Sequence, residues 1–247
     1  ARRNLENEHG ISDTYSDLED ALANVEADAA IIAVPNFLHR GYTITCLKKG
    51  LHTLIEKPMA LNLTDVDDMI ATAETEGKLL MSGQSQRFST AIRQVKKMLE
   101  ENAVGKIRHV IHKRLGAGSG GDENSWFSRQ EKSGGILPGI GVHSLDVLLW
   151  WMNEKATSVS AIVQSIDPHP DIDIEDEASL IATTESNAIL NCAFSFHHKG
   201  GTEWTVMGDE GVIHLNGTRG PLLLNGKEQE IPDEVQLDGE SNIHLEF

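Results

Sequence analysis

A lysine stands between an acidic residue and a proline, Glu56-Lys57-Pro58, directly after an apolar run at residues 52–55. Such a run predicts a parallel strand, and open α/β sheets bind their ligands at the carboxyl ends of these strands. A lysine held there can hydrogen-bond a substrate hydroxyl and take part in proton transfer. Pro58 fixes its own φ and ends the strand, which restrains the direction of Lys57. The alternative for the tripeptide alone is an exposed Lys-Pro turn.

A histidine in a glycine-rich segment is the second candidate. Residues 133–146 combine several glycines with His143 and Asp146. Glycine allows close approach of the backbone, and histidine can act as a general acid or base near neutral pH. Taken alone, His143 is more typical of a histidine satisfied within the core.

A third candidate follows the apolar run at residues 29–34, where Pro35-Asn36 interrupts the sequence. Asn36 can cap the helix predicted to follow. The N-terminus of that helix could also face a cofactor phosphate or ribose. For this motif alone, the plain helix cap is the favoured interpretation.

One glycine-rich run does not predict a dinucleotide site. Residues 116–121 fit the spacing G-x-G-x-x-G after a predicted strand, but the acidic Asp122 and Glu123 follow instead of an amphipathic helix. Because the pyrophosphate needs a helix N-terminus at this point, we predict a flexible loop that could line a substrate pocket. The sequence also lacks the H-E-x-x-H and C-x-x-C patterns, so no metal site is predicted.

These candidates need a sheet that positions them. Strands are predicted at residues 29–34, 52–55 and 78–82, and the first should be covered on both faces because its apolar run is continuous. Helices are predicted between them at residues 37–49 and 64–76, the second capped by Thr64. Strand–helix–strand alternation of this length predicts a parallel sheet built from right-handed βαβ units.

The pattern changes near Arg87. A helix is predicted at residues 89–101, and after Thr157 the apolar residues alternate with period two, as in short antiparallel strands. Residues 203–207 and 212–215 predict a hairpin. The fold class is therefore α/β followed by a second, mostly antiparallel α+β domain.

Composition excludes several function classes. The 247 residues carry 21 basic and 38 acidic side chains, a net charge of −17. No basic stripe can neutralise phosphates, so nucleic acid is not an expected partner. The two cysteines, Cys46 and Cys192, have apolar neighbours and read as buried free thiols of a reducing compartment. No signal-peptide pattern opens the chain, and we expect a cytoplasmic protein without a membrane partner.

Together, and in this order, the motifs resemble those of the Gfo/Idh/MocA family of sugar and inositol dehydrogenases. Residues 29–39 resemble its strand that ends in Pro-Asn-x-x-His, and Glu56-Lys57-Pro58 resembles its Glu-Lys-Pro signature. Residues 133–146 resemble its Gly-Gly segment that ends in Gly-x-His-x-x-Asp. Residues 173–216 are similar to its second-domain sheet, which commonly forms subunit contacts.

The resemblance implies an NAD- or NADP-dependent oxidoreductase acting on a sugar, nucleotide sugar or cyclitol. Lys57 and His143 would be the catalytic residues. Seven residues would lie along the cofactor: Val34, Pro35, Asn36, His39, Glu56, Lys57 and Pro58. The substrate would contact Lys57, Arg87, Trp126, Arg129 and His143. A homo-oligomer, dimer or tetramer, would form through the C-terminal sheet.

Two departures from the family pattern lead to further expectations. The family opens with a Gly-rich strand–turn–helix, which does not precede Ala1, and we expect the C-terminal end to be truncated too. Residues 1–86 would then form an incomplete Rossmann domain with an exposed edge beside the first strand, and residues 87–247 a substrate and oligomerisation domain. This chain by itself would bind dinucleotide poorly.

The second departure is Gly139, which stands where many members carry an aspartate four residues before the histidine. An aspartate would orient the imidazole, so the glycine in its place favours Lys57 over His143 as the main catalytic group. Two alternatives stay open: a catalytically weak relative that acts as a dinucleotide-binding regulator, and a reductase of a non-sugar carbonyl.

Overall fold

The computed structural model describes residues 10–11, 13–116, 124–166, 168 and 170–235. The chain folds into two compact units. The N-terminal unit comprises Ala1–Val34 and Leu38–Ser82, and the C-terminal unit comprises Pro35–Phe37 and Gly83–Phe247.

The N-terminal unit alternates helices and strands. Its elements are α1 (Leu18–Asn24), β1 (Ala29–Ile32), α2 (His39–Lys48), β2 (His52–Ile55), α3 (Leu63–Glu76) and β3 (Leu80–Ser82). The three strands are parallel and adjacent in the order β1-β2-β3. The parallel βαβ arrangement predicted from the apolar runs is therefore confirmed.

Helix α3 shows both a confirmed prediction and a correction. Its interior residues Met69 and Ala73 are buried one turn apart, as the helical spacing predicts. Gly77 ends the helix in the left-handed conformation, with φ 62°. The cap, however, is Asn62 and not Thr64, because the Asn62 side chain accepts a hydrogen bond of 2.9 Å from the Asp65 N–H.

Strand β1 is not covered on both faces, so that prediction is wrong. Ile32 is 4% exposed and packs into a cluster with Cys46, Leu51 and Ile55, whereas Ile31 is 71% exposed. Among the described residues, β1 is an edge strand with β2 as its neighbour. The exposed edge predicted at this strand is present there.

The C-terminal unit combines helices with one large sheet. Its helices are α4 (Thr90–Glu100), α5 (Gln130–Ser133) and α6 (Val142–Met152). Its strands are β4 (Ile107–Leu115), β5 (Ala156–Gln164), β6 (Glu177–Thr184), β7 (Ile189–Ser195), β8 (Gly201–Gly208), β9 (Val212–Asn216), β10 (Leu222–Leu224) and β11 (Lys227–Gln229). They form an eight-stranded sheet in the order β11-β10-β9-β8-β4-β7-β6-β5.

This sheet is antiparallel except for the β4–β7 pair. The predicted hairpin is β8–β9, in which Trp204 pairs with Leu215. The mostly antiparallel second domain is therefore confirmed.

The two faces of the large sheet differ. One face contributes Leu190 and Trp204 to a core shared with Ile92 of α4 and Trp151 of α6. The Trp151 indole N–H donates to the Ile92 carbonyl over 2.9 Å, which satisfies its polar group inside the core. The opposite face carries exposed isoleucines on four neighbouring strands: Ile111 of β4, Ile189 of β7, Ile181 of β6 and Ile162 of β5.

One stretch of the described residues has the length and composition of a membrane span. Gln130–Met152 has 23 residues and a mean hydropathy of 1.2, and 56% of its apolar window is buried inside the protein. Val147, Leu148 and Trp151 belong to the core described above. This burial is the pattern of a core helix.

Candidate active site

Lys57 follows β2 at the carboxyl end of the parallel sheet. Ile55, the last residue of β2, is fully buried, and the Glu56 N–H extends the ladder by a 2.9 Å bond to the Ile32 carbonyl. The Lys57 side chain is half-buried, and the Lys57–Pro58 peptide bond is cis. This is the strand-end position predicted from the sequence, where ligands of open α/β sheets bind.

His39 is enclosed beside this turn. Its side chain is 1% exposed. The ring Nε2 lies 2.9 Å from the Val34 carbonyl oxygen, and Nδ1 lies 2.8 Å from the Pro58 carbonyl oxygen. Both ring nitrogens are therefore occupied by backbone groups that follow β1 and β2.

Asn36 has a different role from the predicted helix cap. It begins a 3-10 turn, Asn36–Leu38, and α2 starts without a side-chain cap. The Asn36 side chain is 7% exposed, and its Nδ2 donates to the Ser133 carbonyl over 2.9 Å. In the same unit, Lys132 Nζ lies 5.7 Å from the ring centroid of Phe37. The cap prediction is wrong because α2 begins after Leu38 and no side chain caps it, while the Asn36 amide donates to a carbonyl 97 residues away.

His143 lies in the first turn of α6, directly after a π-helical turn, Leu137–Gly141. Its side chain is half-buried. Short π-helical segments occur frequently at functional sites. The structure therefore places His143 at the start of a helix directly after an irregular turn, a suitable position for an acid–base group.

Gly139 has a clear structural partner. A Cβ atom at this position would lie 2.8 Å from Cζ of Phe127, so the aromatic ring occupies the space that a larger residue would need. Phe127 in turn packs edge-on against Trp126, with ring centroids 5.7 Å apart. An apolar ring thus lies where the side chain of an aspartate at position 139 would begin.

Four of the five predicted substrate residues belong to the C-terminal unit, and the fifth, Lys57, belongs to the N-terminal unit. Arg87 forms two hydrogen bonds with Asp146, which is three residues after His143 on α6. Arg129 directly follows the 3-10 turn Trp126–Ser128, and its carbonyl accepts a 3.0 Å bond from Ser133 Oγ. Their contacts with a substrate stay predictions, as do the roles of Lys57 and His143.

The sequence analysis missed three polar residues: Gln84 and Gln86 in the segment that follows β3, and Arg114 near the end of β4. Gln84 and Gln86 carry buried amide oxygens that have no hydrogen-bond partner among the described residues. Gln84 comes two residues after β3, so the strand-end rule applied to Lys57 could have found it. Arg114, near the end of β4, has Nη1 3.4 Å from the Ile140 carbonyl, and burial lowers its pKa.

The glycine-rich run at residues 116–121 falls largely outside the described residues. Gly116 is described, and its N–H donates to the Ser195 carbonyl over 2.9 Å. Within the described part of the chain, no three His, Cys, Asp or Glu side chains cluster so that they could hold a metal ion.

The residues present suit the nicotinamide part of a dinucleotide. The sheet offers the parallel strand ends at which such cofactors bind, and Lys57 stands at one of them. Considered separately, the C-terminal unit contains a buried Gln84 oxygen that lacks a donor among the described residues and can accept from an amide or hydroxyl group.

Comparison with known proteins agrees with this geometry. A sequence model described as the oxidoreductase family, NAD-binding Rossmann fold, matches residues 1–84. A second model, the GFO/IDH/MocA C-terminal domain, matches residues 92–214. The parallel sheet and the mostly antiparallel sheet thus correspond to the two domains of one family.

Individual relatives support the same assignment. The 2,7-anhydro-N-acetylneuraminate hydratase of Mediterraneibacter gnavus is 26% identical over 86% of this chain and 55% of its own length. The 1,5-anhydro-D-fructose reductase of Ensifer adhaerens is 27% identical over 97% of this chain and 70% of its own length. The chain thus spans little more than half of the first of these relatives.

A solved structure shows the fold with ligands. The WlbA dehydrogenase of Bordetella pertussis, in complex with NADH and UDP-GlcNAcA, is 25% identical, with a TM-score of 0.81 over 88% of this chain and 63% of that one. The expectation of a nicotinamide dinucleotide as the family's cofactor is confirmed by the NAD-binding match. Both sequence models and the ordered motifs show that this chain belongs to the GFO/IDH/MocA family of oxidoreductases.

Proposed function

We propose that this protein is an NAD(P)-dependent oxidoreductase that transfers a hydride between nicotinamide and a hydroxyl or ketone of a sugar, nucleotide sugar or cyclitol. The observation that carries the proposal is Lys57, half-buried at the carboxyl end of β2. The NAD-binding family match supports the cofactor, and the sugar-related substrates named in its relatives support the substrate class. The relatives reported above are described as enzymes, and none of their descriptions supports the alternative of a regulator.

A bound nicotinamide cofactor would supply the hydride acceptor for oxidation and the hydride donor for reduction. Lys57 Nζ hydrogen-bonds the reacting oxygen, so that a charged ammonium stabilises the negative charge that develops there. During oxidation the hydroxyl proton would pass to His143 while Lys57 is an ammonium, or to Lys57 itself if it starts as a neutral amine and becomes the ammonium by accepting that proton; during reduction the same group would return it. The position of Phe127 beside Gly139 supports a larger role for Lys57, since no carboxylate at position 139 orients His143.

Each domain would have the binding role that the sequence predicts for it. Residues 1–86 would hold the dinucleotide, and residues 87–247 would hold the substrate and the subunit contacts. Val34, Pro35, Asn36, Glu56 and Pro58 remain the proposed cofactor residues besides Lys57. Arg87, Trp126 and Arg129 remain the proposed substrate residues besides His143.

We further propose a homo-oligomer that assembles through the open face of the large sheet. Ile162 and Ile181 are 70% and 54% exposed on this face, and burying exposed isoleucines against a second copy is favourable. A cytoplasmic location is supported by Cys46 and Cys192, which are free and buried, with burial raising the pKa of Cys192 to about 12.

The test is a Lys57→Ala substitution in the complete natural protein. Turnover is measured with NAD(H) and NADP(H) against a panel of sugars, nucleotide sugars and cyclitols, and NADH affinity by fluorescence titration. We expect kcat to fall by about 10²- to 10⁴-fold, while NADH still binds. Lys48→Ala, at an exposed lysine of α2, is the matched control. Normal turnover by Lys57→Ala would overturn the proposal.

A further inference from the structure

We infer that His39 is a positioning residue that holds the Lys57-Pro58 turn in place, and not a ligand of the cofactor. This inference rests on the proposed function, because it assigns the orientation of Lys57 to a second residue. The observation is the pair of short contacts from one buried ring to two backbone carbonyls.

The two carbonyls belong to the segments that follow neighbouring strands. The backbone ladder between β1 and β2 continues to the bond from the Glu56 N–H to the Ile32 carbonyl. Val34 lies two residues beyond Ile32, and Pro58 lies two residues beyond Glu56. His39 therefore bridges the two segments that follow β1 and β2, just beyond the last backbone hydrogen bond between these strands. Its contacts take the place of backbone pairing next to Lys57.

The chemistry of the ring suits this task. A carbonyl oxygen can only accept, so each ring nitrogen contributes its N–H when it carries one. A neutral imidazole donates to one of the two carbonyls at a time, and a doubly protonated ring donates to both. Every form therefore donates to at least one of the two carbonyls, which lie 2.8 and 2.9 Å from the ring nitrogens.

Burial separates this role from cofactor binding. Only 1% of His39 is exposed, and both of its polar atoms already face backbone oxygens. A histidine side chain that hydrogen-bonds a dinucleotide needs a ring nitrogen directed at the ligand. Removing the ring should therefore leave cofactor affinity intact and act on catalysis through the carbonyl of Pro58, the residue next to Lys57.

The experiment compares His39→Phe and His39→Gln in the complete natural protein. Phenylalanine keeps the ring shape and removes both nitrogens, whereas glutamine keeps one amide that can donate. We expect kcat of His39→Phe to fall by about 10- to 100-fold, as for a small misplacement of a catalytic group. The NADH dissociation constant should change less than about threefold. His39→Gln should recover part of kcat, and it carries the test if His39→Phe does not fold.

A matched control is His112→Phe. His112 is also 1% exposed, and its Nδ1 lies 3.0 Å from the Glu203 carbonyl, but it belongs to the C-terminal unit. We expect its kcat to stay within about twofold of the parent value, since it holds no catalytic segment. An equal loss of kcat in both variants would mean a general packing effect and would overturn the inference.

Two further outcomes would overturn the inference as well. An unchanged kcat in folded His39→Phe would show that the contacts do not position Lys57. A rise of tenfold or more in the NADH dissociation constant at constant kcat would identify His39 as a cofactor ligand. Lys57→Ala is measured alongside, so that normal turnover there marks a failure of the proposed function and not of the His39 assignment alone.

Discussion

Arg87 and Asp146 form a two-point ion pair that ties a 3-10 turn to the first turns of the helix carrying His143. Arg87 Nε lies 2.7 Å from one carboxylate oxygen, and Nη2 lies 2.5 Å from the other. The Asp146 side chain is 15% exposed, and the guanidinium also lies 5.4 Å from the Trp150 ring centroid. The aspartate of the Gly-x-His-x-x-Asp motif therefore holds an arginine.

Replacing Asp146 by alanine should destabilise the protein because it leaves the Arg87 charge without its partner. We expect the free energy of unfolding to fall by about 1–2 kcal/mol, since the carboxylate is largely buried and the arginine only partly. Urea denaturation measures the change. Asp209→Ala is the control, because it breaks a pair with Arg108 that is also held by two hydrogen bonds. In that pair the side chain of Asp209 is 47% exposed and that of Arg108 is 55% exposed. Equal losses in the two variants would contradict the argument from burial.

Restoring the family's aspartate at position 139 should destabilise this chain. The new Cβ would meet the Phe127 ring, and overpacking of this kind costs about 1–3 kcal/mol. A smaller side chain at position 127 should relieve the loss, so Gly139→Asp combined with Phe127→Ala should show a favourable coupling energy in a double-mutant cycle. Strict additivity of the two substitutions would show that the ring is not the obstacle.

Stability should depend on pH through His112. Burial is the main cause that lowers its pKa from 6.5 to about 3, and the nearby Arg114 lowers it further, while the bond to the Glu203 carbonyl opposes the shift. Below pH 6.5 the unfolded chain binds a proton that the folded chain does not. The contribution of the neutral His112 to the free energy of unfolding is therefore complete above pH 6.5 and is lost progressively as the pH falls towards 3.

The measurement is urea unfolding of the parent protein and His112→Phe at pH 7 and pH 5. The parent should lose about 2 kcal/mol more than the variant between these two values, at about 1.4 kcal/mol per pH unit below pH 6.5. Other groups titrate in both proteins, so their contributions cancel in the difference. Identical pH dependence in the two proteins would show that His112 accepts a proton in the folded state.

The open sheet face should control assembly. We expect Ile162→Lys to lower the molar mass in solution to that of a monomer, because a buried lysine without a partner is costly in an interface. Light scattering coupled to size-exclusion chromatography measures the mass. Ile31→Lys is the matched control, since Ile31 is equally exposed but lies on β1. An oligomer that persists in Ile162→Lys, or a monomeric parent, would refute assembly through this face.

The local pattern of residues was sufficient for much of the fold. The apolar run before Lys57 became β2, because a short run bounded by turn residues suits a buried parallel strand. The period of 3.6 in α3 and the period of two in β7 likewise appear in the structure. The same runs placed Lys57 at a strand end, because chain order and strand direction settle that position.

Partners far apart in the sequence were decided only by tertiary packing. Asn36 was predicted to cap a helix, yet its amide bonds to Ser133, and the pairing of Arg87 with Asp146 was not predicted at all. Periodicity carries information about neighbours two to four residues away and none about which distant groups will meet. A buried polar group must find a partner wherever packing brings one. The sequence alone therefore determined the motifs and the strand ends that carry them, and the tertiary structure decided what each side chain holds.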